Sequence, residues 1–380
     1  METKKYRFDE VTINFDKKRI PLSSAQREKR QGTFRYYGAQ GVIDHVDDYI
    51  FDGTYLLIAE DGENLKSKKQ NIAQVVDGQF WVNNHAHIVQ GNEQCDTRFL
   101  CYLINSMDLS GYVTGSAQPK LSQANLNAVT LSLPTLAEQK RIVEYLYMLD
   151  QKIDVNRQIN DNLEQQAQSY FQELFVDNAS PEWTTGTISD LGTVVGGSTP
   201  SKAKPEYYTE SGIAWITPKD LSINKSKFVS HGENDITELG LRNSSASLMP
   251  EGTVLFSSRA PIGYIAIAAG EVTTNQGFKS VVPKPEIGTP FVYFFLKNTL
   301  PVIEGMASGS TFKEVSGSTM KNVSAVIPDA ETLAKFSDFC APIFAQQRIL
   351  EEQNQSLATL RDNLLPKLMS GEIDVSAVLL

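Results

Sequence analysis

Two neighbouring segments in the second half of the chain carry side chains that can read the edges of DNA bases. Arg259 lies in the run Ser257–Gly263, where Pro261 stiffens the turn, and arginine is the commonest bidentate partner of guanine. Asn275 and Gln276 lie in the run TTNQGFK, and their amides can pair bidentately with adenine. These residues predict base recognition by hydrogen bonds. The alternative for each is a structural role in a turn or at a strand edge.

Several loops combine glycines, hydroxyls and lysines, which suits them to phosphate groups. Gly196–Lys202 offers flexible backbone amides, hydroxyls and a lysine. Lys66–Lys69 follows a turn and can bridge phosphates, but it fits a solvated loop equally well. Gly115–Lys120 and Gly309–Glu314 repeat one another, and each contains a hydroxyl and a lysine.

The predicted DNA contacts lie in both halves of the chain. In the first half they are Lys66, Lys68, Lys69, Asn83, Asn84, His85, Ser116, Gln118 and Lys120. In the second half they are Ser198, Thr199, Lys202, Lys219, Ser258, Arg259, Thr274, Asn275, Gln276, Lys279, Thr311 and Lys313. Alignment of the halves places Asn84 opposite Asn275.

The sequence offers little for catalysis. It contains no GxxxxGK[ST] loop, no adenine methyltransferase motif, no GxSxG and no HExxH. His85 and His87 would share one face of a strand, as metal ligands can, but no third ligand lies near them. Cys95, Cys101 and Cys340 form no CxxC pair and no even-numbered framework, and the first two fit an apolar core. We therefore predict no catalytic residue, no metal site and no cofactor held by this chain.

The charge of the chain is unevenly distributed. Its 380 residues predict two domains, and its net charge of −10 argues against a basic protein that coats nucleic acid or membrane. Residues 1–35 hold ten Lys and Arg against five acids, whereas residues 36–64 hold seven acids and no Lys or Arg. Residues 135–178 and 331–380 are both acidic. The acidity therefore argues against strong independent DNA binding more than against DNA as a partner.

The hydropathy is that of a globular chain, with 41% hydrophobic and 21% charged residues. No run approaches the roughly 18 apolar residues that a membrane span needs. The N-terminal METKKYRFDE has no apolar signal core. We therefore expect a cytoplasmic protein.

An internal repeat supplies the elements that must position these residues. Residues 115–175 align without a gap to residues 309–369. A helix start follows the matched prolines in each copy, with a capping box from Thr135 to Glu138 in the first and Asp329 at the cap of the second. Beyond each cap, apolar residues recur at alternating spacings of four and three, the seam of a coiled coil.

Four polar residues interrupt these two seams. They are Asn156, Asn160, Gln347 and Asn354, and we interpret them as register devices, because buried amides are costly unless they pair. Two separate amphipathic helices, each lying on its own domain, are the alternative. The fold class predicted is α+β, with two repeated mixed α/β domains separated by two long helices. The predicted limits are residues 1–134 for the first domain, 135–178 for the first helix, 179–328 for the second domain, and 329–380 for the second helix and tail.

Long runs of the chain resemble the DNA-specificity subunits of type I restriction-modification systems. The runs that carry the resemblance are Tyr36–Gly62, Ile213–Leu221, Gly252–Gly263, Thr274–Lys279 and Leu364–Ile373. The resemblance implies two target recognition domains and two long helices that pair as an antiparallel coiled coil, in a pseudo-twofold arrangement. It also implies a non-catalytic subunit that reads an asymmetric bipartite double-stranded DNA target in phage defence.

The resemblance further implies the partners. Two methyltransferase subunits would bind S-adenosylmethionine and methylate adenine N6, and two motor-nuclease subunits would use ATP and Mg. Without the resemblance, a coiled-coil scaffold that joins protein partners and reads no DNA fits the same pattern. The first domain lacks the Gly-Gly-Ser-Thr run, so we hypothesise that the Arg and Lys residues of 17–35 contact phosphates instead, and that neutralising Lys17, Lys18 and Arg19 weakens binding to all sequences alike.

Overall fold

The chain folds into two compact units. The computed structural model describes residues 2–67, 70–115, 118–309 and 313–373. The first unit comprises residues 1–152 and 356–380, and the second comprises residues 153–355. Each unit contains one mixed α/β domain and part of each long helix, so the unit limits fall inside the helices rather than at their ends.

The first unit is built on three sheets. Its strands are β1 (Lys4–Arg7), β2 (Thr12–Asn14), β3 (Gln31–Gly38), β4 (Gly41–Val46), β5 (Phe51–Asp52), β6 (Tyr55–Ala59), β7 (Ala73–Val76), β8 (Gln79–Val82), β9 (Ala86–Gly91) and β10 (Thr130–Leu133). Its helices are α1 (Ser24–Glu28), α2 (Asn64–Ser67), α3 (Thr97–Ser106), α4 (Gln123–Asn127) and the first part of α5 (Leu136–Gln172). The strand orders are β1-β10, β2-β9-β6-β7 and β4-β3-β8-β5, and β3 runs parallel to β8.

Helix α3 illustrates how the sequence sets these elements. Asp96 caps the helix because its carboxylate accepts hydrogen bonds from the backbone N–H groups of Arg98 and Phe99. Leu100 and Ile104 recur on one face at a spacing of four, and both are buried against the core of the unit. Strand β6 is apolar along nearly its whole length, because it lies between β9 and β7 with little exposed surface.

The second unit repeats this architecture. Its strands are β11 (Thr184–Thr187), β12 (Gly192–Gly196), β13 (Tyr208–Thr209), β14 (Ile213–Ile216), β15 (Phe228–Val229), β16 (Asn234–Ile236), β17 (Val254–Ser258), β18 (Ile262–Ala268), β19 (Val272–Thr274), β20 (Lys279–Pro283) and β21 (Ser324–Ile327). Its helices are α6 (Ile188–Leu191), α7 (Pro218–Ile223), α8 (Glu238–Arg242), α9 (Thr289–Gly305), α10 (Gly317–Lys321) and the first part of α11 (Ala330–Ser370). The strand orders are β11-β21, β12-β20-β17-β18-β15 and β13-β16-β14-β19.

The two domains share one topology. The order β2-β9-β6-β7 of the first corresponds to β12-β20-β17-β18 of the second, and the pair β1-β10 corresponds to β11-β21. The parallel pair β3 and β8 likewise corresponds to the parallel pair β14 and β19. The sequence repeat is therefore a structural repeat, as expected of the α+β fold class.

The long helices begin at the predicted caps. Glu138 and Thr135 exchange the hydrogen bonds of a capping box ahead of α5. Asp329 accepts a hydrogen bond from the backbone N–H of Thr332 at the start of α11. Helix α5 ends in a π-turn at Glu173–Asp177. No helix in the described ranges combines the length and the apolar character of a membrane span.

Within each unit the two long helices run antiparallel. In the first unit Arg361 donates a hydrogen bond to Asp150 at 2.7 Å. In the second unit Asn156 contacts Asn354, and Asn160 contacts Gln347. The contacts thus move towards the end of α5 as they move towards the start of α11, as they do between antiparallel helices. The predicted seam positions are all buried or half-buried. Many of them, including Ile142, Leu368, Ala167 and Phe336, join the hydrophobic cores of their units.

Candidate nucleic-acid interface

A cleft of about 440 Å³ in the second unit is lined by six of the predicted DNA contacts. These are Thr199, Lys202, Lys219, Arg259, Asn275 and Gln276. They come from four separate segments of sequence, and the fold brings them together because β12, β17 and β19 all end beside the start of α7. The cleft therefore gathers the base-reading and phosphate-binding types predicted from sequence.

Close backbone packing forms one wall of this cleft. Ser198 donates its backbone N–H to the carbonyl of Thr274 at 2.9 Å, which docks the Gly-Gly-Ser-Thr loop onto the end of β19. A Cβ on Gly197 would lie 2.0 Å from the carbonyl oxygen of Asn275. Only glycine permits this approach. The side-chain hydroxyl of Thr199 then contacts Gln276.

The turn after β17 presents Arg259. The hydroxyl of Ser257 accepts a hydrogen bond from the backbone N–H of Tyr264 and donates one to the carbonyl of Pro261, which holds the turn closed. Ala260 has a φ of +51°, a left-handed conformation that is uncommon for a residue with a Cβ. Such strained positions are frequent at ligand-binding surfaces.

The cations around the cleft differ in their partners. Arg259 lies 3.4 Å from the carboxylate of Glu314, which also lies 3.5 Å from Lys279. Lys219 pairs with Glu233, and this hydrogen bond raises the pKa of Lys219. Lys202 is exposed and pairs with no acid among the described residues. Of these cations, Lys202 is therefore the one most available to a phosphate.

Two predicted contacts are corrected by the structure. Ser258 and Thr274 have almost no exposed surface. Ser258 donates its hydroxyl to the carbonyl of Gly277, so it supports the strand end from inside the domain. Neither side chain reaches a surface that DNA can touch, because every residue of β17 and β19 is buried.

Asn275 is held by its own turn. Its Oδ1 accepts a hydrogen bond from the backbone N–H of Gly277 at 2.8 Å, and its backbone N–H donates to the carbonyl of Ile216 at 3.0 Å. Gln276 is exposed at the tip of the same turn. Gln276 is therefore better placed than Asn275 to pair with a base.

The equivalent turn in the first unit corrects the sequence alignment by one residue. Asn83 donates its backbone N–H to the carbonyl of Tyr37 at 3.0 Å, and its Oδ1 accepts a hydrogen bond from the backbone N–H of His85 at 2.8 Å. These bonds match those of Asn275, so Asn83 and not Asn84 is its counterpart. Asn84 is exposed and matches Gln276.

Charged residues surround this first turn. His85 contacts the carboxylate of Asp61 at 2.7 Å, and Lys120 pairs with Glu60 at 3.2 Å. Both acids come from the predicted acidic stretch. Neither pair could be predicted from sequence, because the paired residues lie on segments far apart along the chain.

The basic arm, residues 1–35, is partly neutralised within the first unit, because several of its arginines pair with acids. Arg27 pairs with Asp44 and Arg30 with Asp47, each at 2.8 Å. Arg19 is half-buried and contacts Glu60 at 3.1 Å. The hypothesis that Arg19 contacts phosphate is therefore wrong for this residue, whereas Lys17 and Lys18 are exposed.

His87 is the centre of a buried polar network in the first unit. Its Nδ1 lies 2.6 Å from Asp16 and its Nε2 lies 2.8 Å from the carbonyl of Leu121. Burial opposes its charge, but these hydrogen bonds and the nearby carboxylates of Asp16 and Glu60 raise the pKa of His87. Burial likewise opposes ionisation of Asp16, yet the hydrogen bonds from His87 and the backbone lower its pKa. His87 is therefore a structural cation and not a surface contact.

The remaining predicted contacts are scattered or lie outside the described ranges. Lys66, Gln118 and Lys313 are exposed, the first of them in the short helix α2. Lys68, Lys69, Ser116 and Thr311 fall outside the described residues. Among the described residues, no group of His, Cys, Asp and Glu has the arrangement of a metal site.

The cysteines are poor nucleophiles. Burial raises the pKa of the Cys95, Cys101 and Cys340 thiols to about 12. A thiol that stays protonated at neutral pH neither attacks an electrophile nor binds a metal readily. The three therefore act as packing residues.

The polar seam residues lie between the helices of the second unit. Asn156 donates to Asn354 at 3.0 Å, and Gln347 donates to the carbonyl of Asn160 at 3.2 Å. The Oδ1 atoms of Asn156 and Asn160 are buried without a hydrogen-bond partner among the described residues. Their role in fixing the register stays a prediction.

A buried lysine, Lys227, lies beside these polar seam residues and was not predicted from sequence. Lys227 contacts Glu164 of α5 at 2.7 Å and Gln347 of α11 at 2.9 Å. Its ammonium also lies 3.6 Å from the ring centroid of Phe344. The backbone N–H groups of Lys227 and Phe228 donate to Glu351 of α11. The loop before β15 is thereby fixed to both long helices.

Comparison with known protein families identifies the class of protein that this fold and these surfaces define. A family model described as the type I restriction modification DNA specificity domain matches residues 2–165 and 181–360. The two matches cover most of the chain, one over each repeat. The chain therefore belongs to the family of type I restriction-modification specificity subunits.

Individual relatives agree with this assignment. The type I restriction enzyme MjaIX specificity subunit of Methanocaldococcus jannaschii is 38% identical over 191 residues, which cover 48% of this chain and 44% of that protein. The HindI specificity subunit of Haemophilus influenzae is 24% identical over an alignment of 404 residues, covering 85% of this chain and 84% of that protein. The match thus spans less than half the length of the first relative and most of the second.

A solved structure shares the fold. The crystal structure of the S subunit of a type I restriction-modification system from M. genitalium has a TM-score of 0.59. Its sequence is 15% identical, and the match covers 97% of this chain and 96% of that one. At this identity the likeness shows the common fold.

Proposed function

We propose that this chain recognises an asymmetric bipartite sequence in double-stranded DNA and directs partner subunits to it. The observation that carries the proposal is the cleft of the second unit, where Arg259, Gln276 and Lys202 line one surface. Arginine and glutamine supply bidentate hydrogen bonds to bases, and lysine supplies charge to phosphates. Each domain reads one half of the target.

The asymmetry of the target follows from the different residues at equivalent positions. Asn84 of the first unit replaces Gln276 of the second. Asp61, at the end of β6, replaces Arg259, at the end of β17, as judged from the backbone bridges that each makes. A carboxylate accepts hydrogen bonds from cytosine, whereas a guanidinium donates to guanine. Two such different surfaces would read different bases.

The chain is proposed to be non-catalytic, with the chemistry supplied by partners. Two methyltransferase subunits would bind S-adenosylmethionine and methylate adenine N6, and two motor-nuclease subunits would supply ATP- and Mg-dependent restriction. The pairing of the arginines of the basic arm with acids of the same unit supports this division. Positive charge needed for tight binding would come from the partner subunits.

Co-expression with its cognate methyltransferase subunits tests the proposal. Methylated adenines are then mapped across the genome of a host that lacks other adenine methylation. We expect one split motif with two unlike halves and a fixed gap. A single continuous motif would overturn the bipartite reading, and methylation with no common motif would favour a scaffold without DNA readout.

A further inference from the structure

His87 and Lys279 occupy the same position in the two repeated domains. In the first unit Ala59 of β6 lies opposite Ala86, and His87 is the next residue along β9. In the second unit Ser257 of β17 lies opposite Phe278, and Lys279 is the next residue along the chain. The turns of Asn83 and Asn275 also precede the two residues by the same four positions. A basic residue therefore stands at this point in both units.

His87 carries a positive charge in the geometry observed. Its two ring nitrogens face a carboxylate oxygen of Asp16 and the carbonyl oxygen of Leu121, and neither acceptor is a donor in its ordinary state. A neutral imidazole has one N–H and can satisfy one of them, whereas an imidazolium satisfies both. The hydrogen bonds to Asp16 and Leu121 and the charge of Glu60 outweigh burial and raise the pKa of His87.

Charged groups from every neighbouring segment face this imidazolium. Asp16 and Arg19 approach from the segment after β2, with Arg19 bonded to both Asp16 and Glu60. Glu60 lies 3.9 Å from His87, at the end of β6. Lys120 pairs with Glu60 from the loop side. The imidazolium and Arg19 together balance the buried carboxylate of Asp16 and the half-buried carboxylate of Glu60.

Both cations are tied to the loop that precedes a short helix, α4 in the first unit and α10 in the second. A backbone bridge between Thr114 and Lys120 closes the first loop, and His87 donates to the carbonyl of the next residue, Leu121. In the second unit a bridge between Ser308 and Glu314 closes the loop, and Lys279 contacts the Glu314 carboxylate.

The residue that follows each loop, Leu121 or Val315, also makes a backbone hydrogen bond to the end of a central strand, β6 or β17. Leu121 donates its backbone N–H to the carbonyl of Glu60 at 2.8 Å, and Val315 donates to the carbonyl of Ser258 at 3.0 Å. Lys279 further contacts the carbonyl of Gln276 and the hydroxyl of Ser258. In each unit the cation therefore lies where three segments meet. These are the end of the loop at Leu121 or Val315, the end of β6 or β17, and the exposed turn that begins at Asn83 or Asn275.

We propose that His87 and Lys279 are equivalent positioning residues, each of which uses its positive charge to hold the closed end of a loop, at Lys120–Leu121 or Glu314–Val315, against the ends of the strands that carry the proposed DNA contacts. The proposal rests on the proposed function, because the surface positioned is the proposed DNA surface. It adds an asymmetry of chemistry: the first unit depends on a histidine that loses its charge at alkaline pH, and the second on a lysine that keeps it.

Exchanging the two residues tests the proposal. The chain is assembled with its methyltransferase subunits, and the affinity for its own methylation target is measured from about pH 6 to about pH 9. The readout is the ratio of wild-type to H87K affinity at each pH, because pH effects on the partner subunits cancel in this ratio. The exposed His45→Gln is the matched control in the same unit.

We expect the ratio to be near one at the acidic end and to fall about tenfold at the alkaline end, equivalent to about 1.4 kcal/mol. H87Q should weaken binding at the acidic end, because the amide supplies no charge to Asp16, and should approach the wild type at the alkaline end, where the histidine is also uncharged. K279H should bind as wild type at the acidic end and lose affinity as the pH rises. The control should follow the wild type throughout.

A flat ratio together with a flat K279H profile would overturn the positioning role. Specific binding by the wild-type complex would persist in that case, so the proposed function would stand. Absence of any sequence preference in the wild-type complex at all pH values would instead contradict the proposed function itself. Loss of folding in H87K alone leaves K279H to decide the outcome.

Discussion

Asn83 and Asn275 make the same two hydrogen bonds at the same place in the two domains. Each accepts a hydrogen bond on Oδ1 from the backbone N–H two residues ahead, at 2.8 Å, and each donates its own N–H to the carbonyl at the end of the parallel neighbouring strand, at 3.0 Å. The asparagine therefore shapes a turn that raises the following residue to the surface. Asn84 and Gln276 are those residues.

These hydrogen bonds predict different roles for the two neighbouring amide side chains. The amide of Asn275 shapes the turn, whereas the amide of Gln276 is exposed and can pair with a base. Asn275→Ala removes the acceptor of the Gly277 N–H, so we expect the free energy of unfolding to fall by about 1 kcal/mol and binding to weaken for all targets alike. Gln276→Ala should leave stability within about 0.5 kcal/mol and relax preference at one base pair by about 1–3 kcal/mol. Urea unfolding and the affinities for single-base target variants measure both effects. Equal loss of preference in the two variants would contradict the distinction.

Lys202 is expected to contribute charge without sequence information. It is exposed in the cleft and pairs with no described acid, so Lys202→Gln should weaken binding to cognate and non-cognate DNA by the same factor. The slope of log affinity against log salt should fall by about one. Lys225→Gln, exposed and outside the cleft, is the control. A change in base preference with an unchanged salt slope would show that Lys202 reads a base.

The basic arm predicts two different phenotypes for adjacent cations. Lys17 and Lys18 are exposed, so replacing both by Gln should weaken binding to all sequences and reduce the salt slope by about two. Arg19→Gln should instead destabilise the first unit, because Asp16 and Glu60 lose a half-buried partner. Thermal unfolding and salt-dependent binding distinguish them. If the Arg19→Gln chain were as stable as the wild type and its salt slope were reduced, Arg19 would be a phosphate contact and not a structural residue.

How far the sequence predicted the molecule depended on the range of the interaction. The long helices, their caps and their seams were predicted from the local spacing of apolar and capping residues, and the structure confirms them. The turn alignment failed by one residue because two adjacent asparagines, Asn83 and Asn84, fit equally well until the strand register decided between them. The pairing of Arg19 with Glu60, and of His87 with Asp16, joins segments 41 and 71 residues apart, and no local pattern encodes it.

Lys227 shows the same limit and leads to a pH prediction. Burial lowers its pKa to about 8, opposed by Glu164, so between about pH 8 and its ordinary value near 10.5 the unfolded chain binds the additional proton. Stability of the second unit should therefore rise with pH across this window through this group. Lys227→Met should remove that slope and lower the free energy of unfolding at neutral pH by about 1–3 kcal/mol, because Glu164 keeps only Lys297 as its cation and the Oε1 of Gln347 loses its donor.

Urea unfolding at a series of pH values checks this behaviour. Lys225→Met, an exposed neighbour in the same loop, should retain both the slope and the stability. An unchanged slope in Lys227→Met would assign the pH dependence to other groups. If Lys227→Met were more stable than the wild type at neutral pH, the buried charge of Lys227 would hold the loop before β15 on the long helices at a net cost in free energy.

The central claim is that each domain reads its own half of a split target. Arg259→Lys tests it most directly, since lysine keeps the charge beside Glu314 but loses the bidentate geometry. Methylated adenines are mapped for the wild type and for this variant, each co-expressed with the same methyltransferase subunits. We predict that one half of the motif becomes degenerate at one base pair while the other half and the gap stay unchanged. Degeneracy in both halves, or an altered gap with both halves intact, would contradict the account.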